Sequence, residues 1–543
     1  MQKGEFGTMT AANGFEDSYR SGSQLAGPTI TLTLLLALGL AMRVIHWSPS
    51  ADGDEARYIN HAYALAQRTL PEYFDGAVAV RLPYLAYLAG WGKLFGMTTP
   101  SLQSAGLATF VIVGLLLWTM ARRLYDIPSA HVALAIFAFL PIHIRLATHC
   151  LTDDLGLAFA LGSMLLWIKA FDVVQGKVGR FYLWVALSGL AAGIATGVRQ
   201  PFFLLALILP ASSLLQGHKA KICALAAAVF GFSALIYFGL EAFGFWWWLG
   251  NPGFRFFQDV LQNAGHAIDA PRNRPLSLSA KLFYFRGYLG HLLPSGSFSF
   301  LPLLAGIAIV DRWSRARYNS IHIIIALCVL TAYHFWGTTS IHSWNLPAIN
   351  ARYLIPAAAF GCILTGGMLA AVHRHYRFSQ ATILVAAGAM IVISTWTVAY
   401  VGRPNCVTEF ARYLATLREE QRQRIIIPES VKRCFLPTDY WQSLEGMRVV
   451  PDEMIAKIED MPLHDVDAIA VPNETFYTYS HIGVVDALER TANWWERRDI
   501  VGQKWPRYLT VTGKPSNRVI GYLYYRTARH DRDSGNRSHP GDQ

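Results

Sequence analysis

About eleven runs of apolar residues, each long enough to cross a bilayer, punctuate the chain between residue 27 and residue 402. Backbone buried in hydrocarbon must satisfy its own hydrogen bonds, so runs of this length predict a bundle of helices. The first run covers residues 27–46, and no small-residue cleavage site follows it, which predicts a retained helix rather than a removed leader. The others centre near Val113, Ile136, Ala160, Leu190, Leu207, Ala226, Leu304, Ile325, Phe360 and Val392, with Pro294 splitting the segment 281–310. Composition agrees: 53% of the 543 residues are apolar and only 15% charged, unlike a soluble domain. The net charge of +11 is then a matter of topology and anionic lipid, and nucleic acid is not an expected partner.

Basic residues set the orientation. Arg122 and Arg123, Lys169, Lys177 and Arg180, Lys219 and Lys221, Arg312, Arg315 and Arg317, and Arg374 and Arg377 fall in alternate loops on the side of the N-terminus, which is read as cytoplasmic. The opposite side receives Asp52 to Glu55, Asp153-Asp154, Arg199, the loops 241–280 and 337–352, and the whole C-terminal region. Every group able to do chemistry is therefore external. That face also carries Arg57, Arg81, Arg199, Arg255 and Arg352, an excess of cation that a bound phosphate would explain in part.

From Arg403 the composition shifts to short β-rich runs, Arg424-Ile425-Ile426-Ile427-Pro428, Asp467-Ala468-Ile469-Ala470-Val471-Pro472 and Arg518-Val519-Ile520-Gly521-Tyr522-Leu523-Tyr524-Tyr525, with helical patterns between them. The expected organisation is a disordered start with tag-like residues over 1–26, a membrane domain over 27–402, a small external α/β domain over 403–530 and a polar tail over 531–543. Cys150, Cys223, Cys328 and Cys362 read as small core hydrophobes, whereas Cys406 and Cys434 could pair if their region is exported.

Almost no acidic residue falls inside an expected crossing, although an ion-coupled transporter should place carboxylates at mid-membrane depth. The acids gather instead at external ends, first in Asp52-Gly53-Asp54-Glu55-Ala56-Arg57-Tyr58. There Tyr58, Ala62, Leu65 and Ala66 recur at helical spacing, which predicts a short surface helix capped by Asp52 or Asp54. Glu55, three residues after Asp52, could complete a capping box; equally, Asp54, Arg57 or Tyr58, and His61 could present a base, an anion anchor and a ligand together. The second cluster, Thr152-Asp153-Asp154, opens the helix through Ala160, with Thr152 as expected cap. The aromatic run from Phe245 to Phe257 is expected to be an interface belt in an external loop. His46 and His61 read as surface histidines, and His342, Trp344 and Asn345 could line an acceptor site.

Four stretches in order carry a resemblance. Asp54-Glu55-Ala56-Arg57-Tyr58 looks like a D-E-x-R-Y motif, Arg81-Leu82-Pro83-Tyr84 to Leu94-Phe95-Gly96 resembles K-P-P-x-x-Y-W-L…L-F-G, Asp154 sits where a second acid is expected, and Arg352-Tyr353-Leu354-Ile355-Pro356 resembles R-Y-x-x-P. Together they resemble the membrane glycosyltransferases of the GT-C fold, nearest to the aminoarabinose transferase and protein O-mannosyltransferase group. The resemblance implies an all-α polytopic domain of about eleven to thirteen transmembrane helices, and inverting transfer of a sugar from a polyprenyl-phosphate donor such as undecaprenyl phosphate. The acceptor would be a glycolipid such as lipid A, an envelope polysaccharide or a protein, at the external face of a bacterial inner membrane. It implies Asp54 as general base, with Glu55 and Asp154 as further catalytic residues, Asp154 orienting Arg57 or the acceptor or completing a metal site. It implies Arg81 as the group on the lipid phosphate, with Arg57, Tyr58, Tyr84, Arg199 and Arg352 as further binding residues. A divalent cation on Asp52, Asp54 and Asp154 is compatible with several members of this fold. The chain departs from the pattern where Arg-Leu-Pro replaces Lys-Pro-Pro, and where Gly197-Val198-Arg199 stands in place of Thr-Lys-Gly. The competing class is a flippase for lipid-linked sugars, which would use the same basic groove without Asp54.

Overall fold

The computed structural model describes residues 26–47, 54–71, 76–146, 148–174, 178–258, 298, 301–314, 320–336, 351–376, 410, 413–414, 416–428, 447–450, 468–472, 495–501 and 519–526. The chain is a membrane protein. Six helical segments among these residues are long and apolar enough to cross: Gly27–Ile45, Thr99–Leu124, Thr152–Asp172, Val178–Val198, Ala220–Leu249 and Arg352–Tyr376. Ile127–Ala138, Gln200–Leu215, Leu301–Asp311 and Ile321–His334 are apolar but shorter. Each expected centre from Val113 to Phe360 thus falls in a helix, and Val392 lies outside the described residues.

In chain order the helices are α1 (Ala26–Ile45), α2 (Asp54–Gln67), α3 (Gly76–Ala79), α4 (Leu82–Phe95), α5 (Thr99–Leu124), α6 (Ile127–Ala138), α7 (Pro141–Leu146), α8 (Thr152–Asp172), α9 (Val178–Val198), α10 (Leu205–Leu215), α11 (Ala220–Leu249) and α12 (Phe254–Phe256). Helices Leu301–Ser314, Ile321–Trp336 and Ile355–Tyr376 follow. Local signals place the breaks. Thr98 caps α5 by accepting from the Ser101 N–H, and the Asp126 carboxylate caps α6 by accepting from the Ser129 N–H at 2.8 Å, with Pro128 in its first turn.

Interhelix contacts follow membrane rules, with small residues and paired hydroxyls at the seams. Ser163 on α8 and Ser188 on α9 each donate to the other's backbone carbonyl, at 2.9 and 2.7 Å. Gly189, Gly193 and Gly197 form a stripe on α9 against which α11 lies. A Cβ on Gly189 would overlap the Phe230 carbonyl, and one on Gly193 would press on the Tyr237 ring. Gly189→Ala is therefore expected to destabilise the bundle by about 1–3 kcal/mol, because backbone must move to admit a methyl group. Thermal unfolding in detergent measures it, and an unchanged midpoint would contradict the close approach.

The two ends of the bundle differ. At one end Arg123 pairs with Asp172, Asp126 with Arg374, and the Tyr125 hydroxyl with Ser320 at 2.8 Å. The other end gathers α2, α3, α4, the turn before α8 and the start of the last described long helix. There α2 buries Tyr58, Ala62 and Leu65, as its spacing predicts, and Ala56 and Ile59 with them, while Ala66 is partly buried, in a second core with Leu85 and Leu88 of α4 and Leu155 of α8.

Four local expectations are corrected. Glu241 does not open a loop: α11 runs on to Leu249, because its aromatic continuation suits the helix and Arg255 compensates the carboxylate. The residue capping α8 is Leu151, without a side-chain bond, so Thr152 is already helical. His61 is buried rather than superficial, its Nδ1 2.8 Å from the Arg57 carbonyl. Cys328 is exposed, while Cys150, Cys223 and Cys362 are buried as expected.

Beyond residue 410 a five-stranded sheet has the order β2-β1-β3-β5-β4, built from β1 (Ile425–Pro428), β2 (Arg448–Val450), β3 (Ala468–Pro472), β4 (Trp495–Val501) and β5 (Val519–Arg526). β1 pairs in parallel with β2 and β3, whereas β5 runs antiparallel to β3 and β4. The three apolar runs are β1, β3 and β5; the charged β4 was not legible. Phe410, Leu414, Ile425, Ile427 and Leu523 form the core of this unit. Cys406 and Cys434 lie outside the described residues.

Candidate active site

Glu55 fixes the start of α2. Its side chain is 1% exposed, and it accepts hydrogen bonds from Gln103 Nε2 at 3.1 Å, the Cys150 N–H at 2.8 Å and His149 Nδ1 at 3.0 Å. Gln103 in turn accepts from Trp47 Nε1 at 2.9 Å. This chain of bonds joins the end of α1, α5 and the turn before α8 to the helix that Asp54 begins. Both Glu55 oxygens thus accept from protein donors. Asp52 and the side chain of Asp54 lie outside the described residues.

Beside this network is a pocket. Tyr84 and Tyr87 of α4 and Thr109 of α5 face His149, Asp153 and Asp154 across it, with Ile355 also on its wall. Tyr58 meets the Tyr84 ring edge to face at 5.2 Å. Burial, with Cys150, Tyr58 and Glu55 beside it, pushes the Tyr84 hydroxyl well above its usual range, so it stays a neutral donor. The Asp154 carboxylate lies 3.5 Å from His143 Nδ1 and within electrostatic reach of Arg43. Arg43 itself is fully buried, donates to the Gly39 and Ala138 carbonyls at 2.9 and 2.8 Å, and lies over the Phe110 ring.

Cations converge on the same end. Arg199 follows α9 directly and pairs with Asp153 at 3.0 Å while stacking over Tyr353 at 4.4 Å. Arg352 lies 5.1 Å from the same ring, and Tyr333 is within the Coulombic reach of both Arg199 and Arg81. Arg81 stands at the head of α4, where the positive end of the helix dipole also favours an anion. Arg255, counted in the sequence among the external cations, pairs with Glu241. Arg57 is half-buried on α2. The structure therefore brings Tyr84 and Asp154 to one pocket, with Glu55 and Tyr58 beside it, and Arg199 and Arg352 to the Tyr353 ring, joined to the pocket through Asp153, with Arg81 within Coulombic reach of Tyr333.

Among the described residues no group of three or more His, Cys, Asp or Glu side chains is arranged to hold a metal ion. Of the proposed ligands only Asp154 has a described side chain, and its neighbour Asp153 is committed to Arg199. Sequence reading missed His149, Gln103 and the Glu241–Arg255 pair. The available signal for the last was a lone acid in an otherwise apolar helix.

No protein-family model and no curated protein matches the sequence. Solved structures do match. The oligosaccharyltransferase AglB of Archaeoglobus fulgidus superposes with a TM-score of 0.55 at 11% identity, over 94% of this chain and 75% of that one. ArnT of Cupriavidus metallidurans gives 0.53 at 14% identity, over 91% of this chain and 98% of that one. The chain has the GT-C fold. Arg81, Asp154 and Arg352, which belong to three of the four motifs, lie at one end of the bundle.

Proposed function

We propose that this protein is a glycosyltransferase that moves a sugar from a polyprenyl-phosphate donor to an acceptor hydroxyl at the extracytoplasmic face of a bacterial inner membrane. The observation that carries the reading is the meeting of Arg81, Arg199 and Arg352 with the Asp153-Asp154 pocket at the end where α2 begins. A departing lipid phosphate needs fixed positive charge in a water-poor site, and a guanidinium grips it through two donors. Similarity to ArnT solved with undecaprenyl phosphate, and to AglB solved with a dolichol-phosphate and a peptide, supports a lipid-linked donor. The match over 98% of ArnT agrees with the resemblance to the aminoarabinose transferase group, from which a glycolipid acceptor is carried over.

In this reading Asp54 takes the proton from the acceptor hydroxyl as its oxygen bonds to the anomeric carbon. The bond from that carbon to the phosphate oxygen breaks in the same step, and the phosphate leaves with the electron pair on Arg81. Configuration at the sugar inverts, because no covalent sugar-enzyme species forms. Asp154 orients the acceptor, Tyr84 donates to donor oxygens, and Arg199, Arg352 and Arg57 add positive potential. Glu55 acts as a positioning residue that fixes the start of α2, the helix that Asp54 begins.

Arg81→Ala tests the reading directly. A charge-assisted bond to phosphate contributes about 1.5–3 kcal/mol, so undecaprenyl phosphate should bind roughly 10- to 150-fold more weakly. The acceptor KM should not move. Unchanged lipid affinity in nanodiscs would remove Arg81 from the donor site and leave the phosphate reading without its main cation.

A further inference from the structure

We infer that Arg255 is a positioning residue for the donor phosphate, holding Arg81 and Arg199 at a fixed separation. This rests on the phosphate reading of those two arginines. The Arg255 guanidinium meets Glu241 in bidentate fashion, Nε to Oε2 at 2.5 Å and Nη2 to Oε1 at 2.7 Å. Nη2 also donates to the Gly197 carbonyl at 3.1 Å and to the Val80 carbonyl. Val80 immediately precedes Arg81, and Gly197 lies two residues before Arg199. One planar cation therefore ties together the two backbone segments from which the phosphate-binding arginines arise, and those segments belong to different elements, the α3–α4 junction and the end of α9.

The surroundings are shaped for this contact. Glu241 is nearly buried and also accepts from the Tyr237 hydroxyl at 2.6 Å, which fixes the carboxylate facing Arg255. Gly197 admits Tyr237 and Glu241 to the end of α9; a Cβ there would overlap the Tyr237 hydroxyl. Gly250, with φ of 68°, ends α11 in the left-handed conformation and turns the chain back so that α12 carries Arg255 to the clamp. The guanidinium donors reach a carboxylate and two carbonyls at once. Lysine, a point charge on a flexible stem, cannot reproduce that planar set.

The test is binding of undecaprenyl phosphate to the full chain in nanodiscs, comparing parent, Arg255→Lys, Glu241→Gln, Arg81→Ala and the Arg81→Ala/Arg255→Lys pair. Arg255→Lys keeps the charge, yet it should weaken binding by about tenfold or more while the acceptor KM stays within about twofold. Glu241→Gln, which keeps the shape, should weaken binding in the same direction. The double variant should lose less than the product of the two single losses, because one of the two arginines that the clamp positions is already gone while Arg199 remains. A merely structural ion pair would instead lower the unfolding midpoint and leave lipid affinity unchanged, or give losses that multiply; either result overturns the clamp. If the parent binds no undecaprenyl phosphate, the phosphate reading falls and takes the clamp with it. A parent that binds normally beside an unaffected Arg255→Lys overturns the clamp alone.

Discussion

Asp54→Asn is expected to abolish sugar transfer while leaving the lipid carrier bound. A positioned general base contributes about 10²- to 10⁴-fold to rate, and an amide of the same shape cannot take a proton. The loss should fall on kcat, since Asp54 has no part in holding the phosphate. The substitution is isosteric at the first residue of α2, so the fold should persist. Single-turnover assays with a lipid-linked sugar measure the rate, and undecaprenyl-phosphate binding supplies the control. Full transfer in this variant would end the base assignment; no transfer by the parent protein, with the lipid still bound, would favour a flippase that needs only the basic groove.

Glu55→Ala is expected to cost more in stability than any exposed change. Removing this carboxylate takes the acceptor from the buried Cys150 N–H and removes the bonds from Gln103 and His149. Each unsatisfied buried donor costs about 1–3 kcal/mol, so a loss of roughly 2–6 kcal/mol is expected. Glu55→Gln keeps one carbonyl acceptor and should lose less. Unfolding midpoints in detergent rank the three proteins. If alanine were tolerated without a shift, the network would not hold α2, and Glu55 would be available for a direct part in the chemistry.

Much of the bundle was legible because its signals are local. Apolar runs are read residue by residue, and charge at alternate loops sorts the ends; the pairs Asp126–Arg374 and Arg123–Asp172 gather at one of them. The buried face of α2 was legible from Tyr58, Ala62 and Leu65 for the same reason. What stayed hidden depends on partners far along the chain. Glu55 meets Gln103 and Cys150 across 48 and 95 positions, and no spacing rule announces such a pair. Glu241 looked like the start of a loop because a lone carboxylate usually ends a crossing. Arg255, 14 residues later, cancels its charge and lets α11 continue. Thr152 misled by propensity: the turn before α8 is shaped by the Cys150 N–H bond to Glu55, and Leu151 takes the cap.

The central claim, that this chain joins a lipid-borne sugar to an acceptor, is tested most directly by mass spectrometry of a reconstituted reaction. Purified protein in nanodiscs would receive a panel of polyprenyl-phosphate sugars together with envelope lipids, polysaccharide and protein. The expected result is free polyprenyl phosphate and glycosylated acceptor appearing in equal amounts with one donor, and neither product in Asp54→Asn. Donors recovered intact across the panel, with every acceptor unmodified, would contradict it.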